Sequence, residues 1–286
     1  MQQQYIAKTL QGLENVLAKE LETLGAKDVE VLKRAVSFSG DKAMLYAANI
    51  YLRTAIKILQ PLTTFRADDV QELYDQILAF NWSEVMDVDD TFTIDNTVFS
   101  TTFTHSNYAA LKMKDALVDH FRNKFGRRPD VNKLDPTYRF NIRIKENEVS
   151  IALDSSGESL HKRGYRTETH AAPMSEVQAA GLILLSGWDV NQPLYDPMCG
   201  SGTIPIEAAL IANQIAPGLI RKTYGFQKWK DYDASLFRQL MVAAAGEVQQ
   251  RRLAIFGSDI SSRNIVMAIN HAGNAMPENS IKFFTK

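Results

Sequence analysis

The sequence predicts an α+β amino-terminal half joined to a doubly wound α/β carboxy-terminal domain. Short β runs alternate with amphipathic helices up to about Asp154, a pattern of small mixed units. A polar connector rich in Ser, Gly, His and Arg then runs from Asp154 to Ala172. Beyond it, strand, glycine-rich turn, helix and strand succeed one another as the opening βαβ of a parallel sheet.

Each element has its own signal. Tyr5-Ile6-Ala7 is a short β run, and Leu13, Val16, Leu17, Leu21 and Leu24 then recur at helical spacing, with Gly25 placed to end the helix. Val29–Leu32 and Ala35–Phe38 are two further β runs, and together these make a unit too small to stand without neighbours. A second α+β unit spans about Asp41 to Asp154. It has an amphipathic helix from Val70 to Phe80, strand residues Phe92, Ile94 and Val98, and a helix carrying Leu111, Leu117, Val118, Phe121 and Phe125 up to Gly126. Tyr138, Phe140, Ile142 and Ile144 alternate with Arg139, Asn141, Arg143 and Lys145, then turn at Glu146–Glu148 into Val149, Ile151 and Leu153: a hairpin with one basic face. After the connector, a helix starting at Pro173-Met174-Ser175, the strand Leu194-Tyr195, the helix Ile204 to Asn213 and the strand Leu253 to Phe256 form the α/β part.

Bulk properties narrow the class. At 286 residues, two or three domains are expected, and 45% hydrophobic with 23% charged residues is ordinary for a globular protein. No apolar run approaches the ~18 residues of a membrane span, and the amino terminus has no signal-peptide pattern. A single cysteine excludes an intrachain disulfide and most metal sites; no metal and a cytoplasmic location are expected. The net charge of −1 hides a local polarity: residues 66–95 carry nine acids against Arg66, and residues 112–145 carry ten bases and four acids. The acidic stretch reads as a solvated face turned away from any nucleic acid.

Asp196-Pro197-Met198-Cys199-Gly200-Ser201-Gly202-Thr203 carries the strongest chemical signal. A loop after the first strand of such a sheet must approach a nucleotide-type cofactor with its backbone, which excludes Cβ atoms at Gly200 and Gly202. The helix that follows offers free N–H groups, and Pro205 is tolerated in its first turn. Asp196 can meet a cationic part of the cofactor, and Asp259, followed by Ile260, stands where an acid would hold both ribose hydroxyls. Asp259 follows Gly202 by 57 residues, against ~20 in a compact unit, so residues 214–250 form an insertion with its own helix. The bland readings are a tight connector for the Gly-Ser-Gly turn, a helix cap for Asp259 and a small packing residue for Cys199.

Lys112, Lys114, Arg122, Lys124, Arg127, Arg128, Arg139 and Arg143 decorate a helix, a loop and a strand face. Each alone reads as solvated; together they match a phosphate-tracking surface. His161-Lys162-Arg163-Gly164-Tyr165-Arg166 adds cations and a stacking aromatic, with an exposed linker as its bland alternative.

These residues resemble a known family. Asp196–Thr203 with Ile204–Ala209 is similar to the cofactor loop of methyltransferases acting on exocyclic amines. The run from Leu153 to Arg166 looks like the joint between a THUMP RNA-binding domain and such a catalytic domain, and Gly126-Arg127-Arg128-Pro129 fits the same group. The resemblance covers essentially the whole chain and points to the THUMP-containing bacterial large-subunit rRNA guanine-N2 methyltransferases. It implies a ferredoxin-like unit over 1–50 completed by 155–170, a THUMP domain over 51–154, and the first part of a Rossmann-like class I methyltransferase domain over 171–286. It also implies S-adenosylmethionine as cofactor and RNA as partner, in a monomer or weak homodimer. A tRNA guanine-N2 or adenine-N6 methyltransferase, or a non-enzymatic RNA-binding protein on this scaffold, are the alternatives.

The family aligns its poorly nucleophilic amine with an Asn/Asp-Pro-Pro-aromatic motif after the fourth strand. This chain has nine prolines and no Pro-Pro pair. The catalytic residues are therefore expected beyond Lys286, and, because a parallel sheet stopped after two or three strands exposes an apolar edge, the chain is expected to be a fragment of a longer enzyme without turnover of its own.

Overall fold

The computed structural model describes residues 2–103, 106–167, 174–276 and 281–286. The chain divides into two compact units: Met1–Ile58, Glu158–Thr223 and Ala234–Lys286 in the first, Leu59–Gly157 and Tyr224–Asp233 in the second.

In the first unit, β1 (Gln3–Lys8), α1 (Glu14–Thr23), β2 (Lys27–Leu32), β3 (Ala35–Gly40) and α2 (Lys42–Tyr51) follow one another. The strands lie in the antiparallel order β2-β3-β1, with Tyr5, Leu17, Leu21, Val36 and Phe38 buried between sheet and helix. Gly25, at φ +86°, ends α1. Helix α2 has no polar stripe, since six successive residues from Leu45 to Ile50 are buried, and so gives no helical period to read. Asp41 caps it by accepting from Met44 N–H at 3.0 Å.

The second unit comprises β4 (Lys57–Arg66) from Leu59 onward, α3 (Val70–Ala79), α4 (Trp82–Val85), β5 (Thr91–Phe99), α5 (Ser106–Phe125), β6 (Asp130–Val131), β7 (Tyr138–Lys145) and β8 (Glu148–Asp154). The strand order is β4-β8-β7-β5-β6, with β5 parallel to β7 and the β7–β8 hairpin turning at Glu146, φ +52°. Pro61 and the register shift beside it hide β4 from a pattern search. Ten residues from within the 214–250 insertion, Tyr224–Asp233, also belong to this unit. Phe226 N–H donates to the Ser155 carbonyl at 2.9 Å, and Gly157 at φ +74° packs its backbone on Gly225. The sequence-based division at 50/51 and 154/171 thus differs from the structural one. Residues 51–58 cluster with the first unit, and the insertion is shared.

The carboxy-terminal part of the first unit contains α6 (Glu176–Ser186), β9 (Leu194–Asp196), α7 (Thr203–Ala212), α8 (Ala234–Gly246), β10 (Ile255–Asp259), α9 (Ser262–Ala275) and β11 (Lys282–Thr285). Its sheet order is β11-β10-β9, all parallel. Ile183, Ile206, Leu210, Ile255, Ala272 and Met276 form its core. Ser175 is the N-cap of α6; the expected start at Pro173 and the end of the connector, 168–173, lie outside the described residues. Among the described residues, no helix is long and apolar enough to cross a membrane.

The connector is where the structure departs most from the sequence reading. Arg163 is 1% exposed and Tyr165 is fully buried, so neither presents cation or ring to a nucleic acid. Arg163 donates to the carbonyls of Leu160 (2.7 Å) and Arg53, and its Nε faces Glu207 Oε1 at 3.7 Å. Tyr165 OH donates to the same Glu207 oxygen at 3.2 Å, and Asn274 of α9 donates to the Tyr165 carbonyl at 3.0 Å. Arg53 donates in turn to the carbonyls of Leu210 and Ile215. Charges this deep persist only when paired and hydrogen-bonded. The connector is therefore a buried brace joining the bend after α2, at Arg53, to α7 and α9. Removing one partner strands the other: Arg163→Ala is expected to lower unfolding free energy by about 3–5 kcal/mol in urea titrations. A loss well under 1 kcal/mol would show that Glu207 is not held by this pair.

Candidate active site at the β9 turn

The parallel pairing of β9 with β10 sets Tyr195 beside Phe256 and Asp196 beside Gly257. Both strands thus end on the same side of the sheet, each on an acid, Asp196 and Asp259. That is the carboxyl edge at which open α/β sheets bind ligands.

The turn between β9 and α7 is tied by its own amides. Asp196 Oδ1 accepts from Met198 N–H at 3.1 Å, Ser258 O from Cys199 N–H at 2.9 Å, and Cys199 O from Gly202 N–H at 2.8 Å. Gly200 N–H donates to Asp259 Oδ2 at 3.0 Å. The other Asp259 oxygen accepts from Ser261 N–H at 2.9 Å and Asn264 Nδ2 at 3.0 Å, so one carboxylate bridges the loop and the start of α9. Ser261, rather than Asp259, caps α9. His271 Nδ1 donates to the Ser201 carbonyl at 3.3 Å.

The two loop glycines have different reasons to be glycine. Gly200, at φ +53°, faces open space where a Cβ would lie; Gly202, at φ +84°, would place a Cβ 2.9 Å from Ala268 Cβ and 3.1 Å from the Phe283 ring. Gly257, to which the sequence reading gave no role, is equally tight: its Cβ would stand 2.8 Å from Phe283 and 3.1 Å from Cys199 Sγ. Burial, seconded by the Asp196 and Asp259 carboxylates, pushes the Cys199 thiol up to about 12, which leaves a small packing residue and no nucleophile. Burial also raises Asp196, with Asp259 adding to the rise. Gly202 has no side chain to cap α7, so the first N–H groups of the helix have no side-chain cap, and Thr203 and Pro205 sit buried in its first turn. Met198 and Ile260 stand 84% and 88% exposed on the Asp196 and Asp259 sides of this edge.

The second unit distributes the expected basic residues unevenly. Lys112, Lys114, Arg122 and Arg128 line one cleft of about 570 Å³ with Tyr74 and the acids Asp115, Asp119 and Asp130, and within it Lys114 pairs with Asp115 at 2.8 Å and Arg122 with Asp119 at 2.5 Å. Lys112 Nζ lies 5.7 Å from the rings of both Tyr74 and Tyr108. Outside that lining, Lys124 bonds Ser83, Arg127 pairs with Asp89, and Arg139 with Asp95 at 3.3 Å. Arg143 lies on β7 beside Thr97 and Ser150, partly exposed. The acidic stretch is thus not simply turned away, because the parallel β5–β7 register lays part of it against the bases. In the connector, Lys162 is exposed and paired with Glu158, while His161 is half-buried on Ser159. Burial and surrounding cations lower the His161 pKa. Arg221, which carried no sequence signal, donates to the carbonyls of Glu158, Ser159 and Lys162.

A mutational contrast follows from the glycines. Gly200→Ala should cost only the left-handed backbone, about 1–2 kcal/mol, whereas Gly202→Ala adds about 1–3 kcal/mol of overpacking. Thermal denaturation of the two variants should rank them in that order; the reverse order would contradict the packing described.

Three domain families match the chain in succession: an RlmL ferredoxin-like domain at residues 4–59, a THUMP domain at 67–154, and an RMKL-like methyltransferase domain at 163–286. The ribosomal RNA large subunit methyltransferase K/L of Photobacterium profundum is 40% identical across 98% of the chain, which spans 40% of that relative's length. Among solved structures, a predicted N6-adenine-specific DNA methylase from Listeria monocytogenes str. 4b F2365 superposes with a TM-score of 0.90 at 32% identity, covering all of this chain and 75% of that one. SMU.472, a putative methyltransferase complexed with SAH, gives 0.89 at 30% identity with the same coverage. The chain belongs to the S-adenosylmethionine-dependent methyltransferases that join an RlmL-type ferredoxin-like domain and a THUMP domain to an RMKL-like methyltransferase domain.

Proposed function

We propose that the protein containing this chain transfers a methyl group from S-adenosylmethionine to the exocyclic N2 of a guanine in large-subunit rRNA. The observation that carries the donor half is that β9 and β10 end on Asp196 and Asp259 at the same carboxyl edge, around a loop that leaves space at Gly200. The residues fit the donor. Asp196 would face its cationic end and Asp259 its ribose. Pro197, Met198, Cys199, Ser201 and Thr203 would frame it, and the exposed aliphatic groups of Met198 and Ile260 offer cover for an adenine ring. When bound, S-adenosylmethionine supplies an electrophilic methyl on a sulfonium. The chain's own part is to orient that methyl and to exclude water around it.

The acceptor half is supported by the THUMP match, the K/L relative and the cleft that gathers Lys112, Lys114, Arg122 and Arg128. Lys112, Lys114, Arg122 and Arg128 would contact phosphates, whereas Arg163, Tyr165 and the inner part of Arg166 are turned away from that role. The domain assignment is ferredoxin-like for the amino-terminal strands, THUMP for the second unit, and methyltransferase from the connector onward. With no Asn/Asp-Pro-Pro-aromatic segment among them, these 286 residues would hold the donor without methylating a base. Likeness to the predicted N6-adenine-specific methylase of Listeria favours adenine N6 as the second reading. Mapping modified nucleosides by mass spectrometry in a deletion strain separates the two. Loss of a guanine-N2 methyl from large-subunit rRNA is expected, and an unchanged rRNA profile overturns the proposal.

Donor binding should depend on pH through Asp196. Its carboxyl sits above the ordinary 3.8 because burial disfavours the ionised form. That form is less favourable in the fold than in the unfolded chain, so its contribution to stability is fullest below 3.8 and is lost as pH rises through the folded value. A cationic donor works the other way. Calorimetric affinity for S-adenosylmethionine is expected to weaken as pH falls through the raised folded value, and Asp196→Asn should bind more weakly with that dependence gone. A variant with unchanged affinity would remove Asp196 from the site. For RNA, Lys112→Ala and Arg122→Ala should each reduce the salt slope of binding by about one; unchanged slopes would move the contact elsewhere.

A further inference from the structure

Arg166 lies outside the glycine loop yet reaches the residue that opens α7. Its Nη2 donates to Thr203 Oγ1 at 2.5 Å and to the Met174 carbonyl at 2.6 Å, while its Nε faces Glu176 Oε1 at 3.4 Å. The side chain is 17% exposed and Glu176 only 4%. A guanidinium at a helix amino terminus stands at the unfavourable end of the helix dipole. Here the Glu176 carboxylate offsets it, and the planar fork spans the start of α6 and the first residue of α7 together.

The neighbouring cation has a different task. Arg163 makes the buried tie to Arg53, Leu160 and Glu207, none of which belongs to the loop. Arg166 is the cation of this connector that bonds the loop's last residue. Gly202 has no side chain with which to hold that turn, and Thr203 follows directly on it.

Resting on the donor reading above, we propose that Arg166 is a positioning residue for the methyl donor. By clamping Thr203 Oγ1, it fixes the first turn of α7 and so aims the free helix amides and the Gly200 backbone at the donor. Its contribution is made through Thr203 rather than by touching the methyl.

The test is calorimetric titration of S-adenosylhomocysteine into this chain, with a urea midpoint for every variant. Arg166→Ala and Thr203→Val should each weaken binding by about tenfold. The double variant should be no weaker than the worse single, and Arg166→Lys should fall between, keeping the charge but not the fork. Thr203→Ser should bind like the parent chain. Unaltered affinity in Arg166→Ala, or multiplied losses in the double variant, would overturn the assignment, as would weakening that only follows the urea midpoint. If Arg166→Ala does not fold, the contrast of Thr203→Val with Thr203→Ser decides, since equal binding by both would refute the clamp. Parent chain that fails to bind refutes the donor reading itself, an outcome distinct from parent binding with an inert Arg166.

Discussion

A buried guanidinium with a buried carboxylate, Arg163 and Glu207, is the constraint on which the candidate site depends. Glu207 lies on the inner face of α7, the helix that the glycine loop opens into, and is fully enclosed. Left without Arg163 and Tyr165, it would keep only the charge of buried Arg53 nearby and no hydrogen-bonded partner of its own. The chain meets that cost with a connector that turns Arg163, Tyr165 and Arg166 inward, onto Glu207 and Glu176. The far end of the helix that presents its amino terminus to the site is bonded by Arg53, in the bend after α2, and Asn274 of α9 holds the Tyr165 that bonds Glu207. A helix so held can keep its uncapped N–H groups in place for a ligand, at little further ordering cost when one arrives.

Much of the fold was legible in the sequence where a single physical signal dominates. Leu13 to Leu24 show the helical period, the Tyr138–Leu153 hairpin shows alternation, and Asp196–Thr203 shows the strand–turn–helix change. Helix α2 was not legible because burial on every side erases its period, and β4 was masked by Pro61. The connector misled for a related reason: a run of cations reads as a solvated surface, and only tertiary structure reveals that Arg163 and Arg166 point inward onto Glu207 and Glu176. Those two acids are separated from their partners by 44 and 10 residues, and no local pattern announces such pairs.

Charge in the second unit follows the same logic. The sequence separates an acidic from a basic stretch, but parallel pairing of β5 with β7 and the return of Tyr224–Asp233 lay acids onto bases. Asp89 takes Arg127, Asp95 takes Arg139, and Asp87 lies 4.0 Å from Lys230. The cleft beside Tyr74 is mixed in the same way: Lys112, Arg122 and Arg128 converge there with Asp115, Asp119 and Asp130, and Arg122 pairs with Asp119. Net charge near zero therefore says little by itself, because the local pairing of charges is what a polyanion meets.

The glycine loop is preformed before any ligand arrives, and amide hydrogen exchange of the ligand-free chain reads this out. The amides of Cys199, Gly200 and Gly202 donate to Ser258, Asp259 and Cys199 within the protein. They should exchange about as slowly as those of strand β10, opening only with the unit as a whole. Exchange at the rate of an open turn, slowing only when S-adenosylhomocysteine is added, would mean that the donor builds the loop, and would contradict the account.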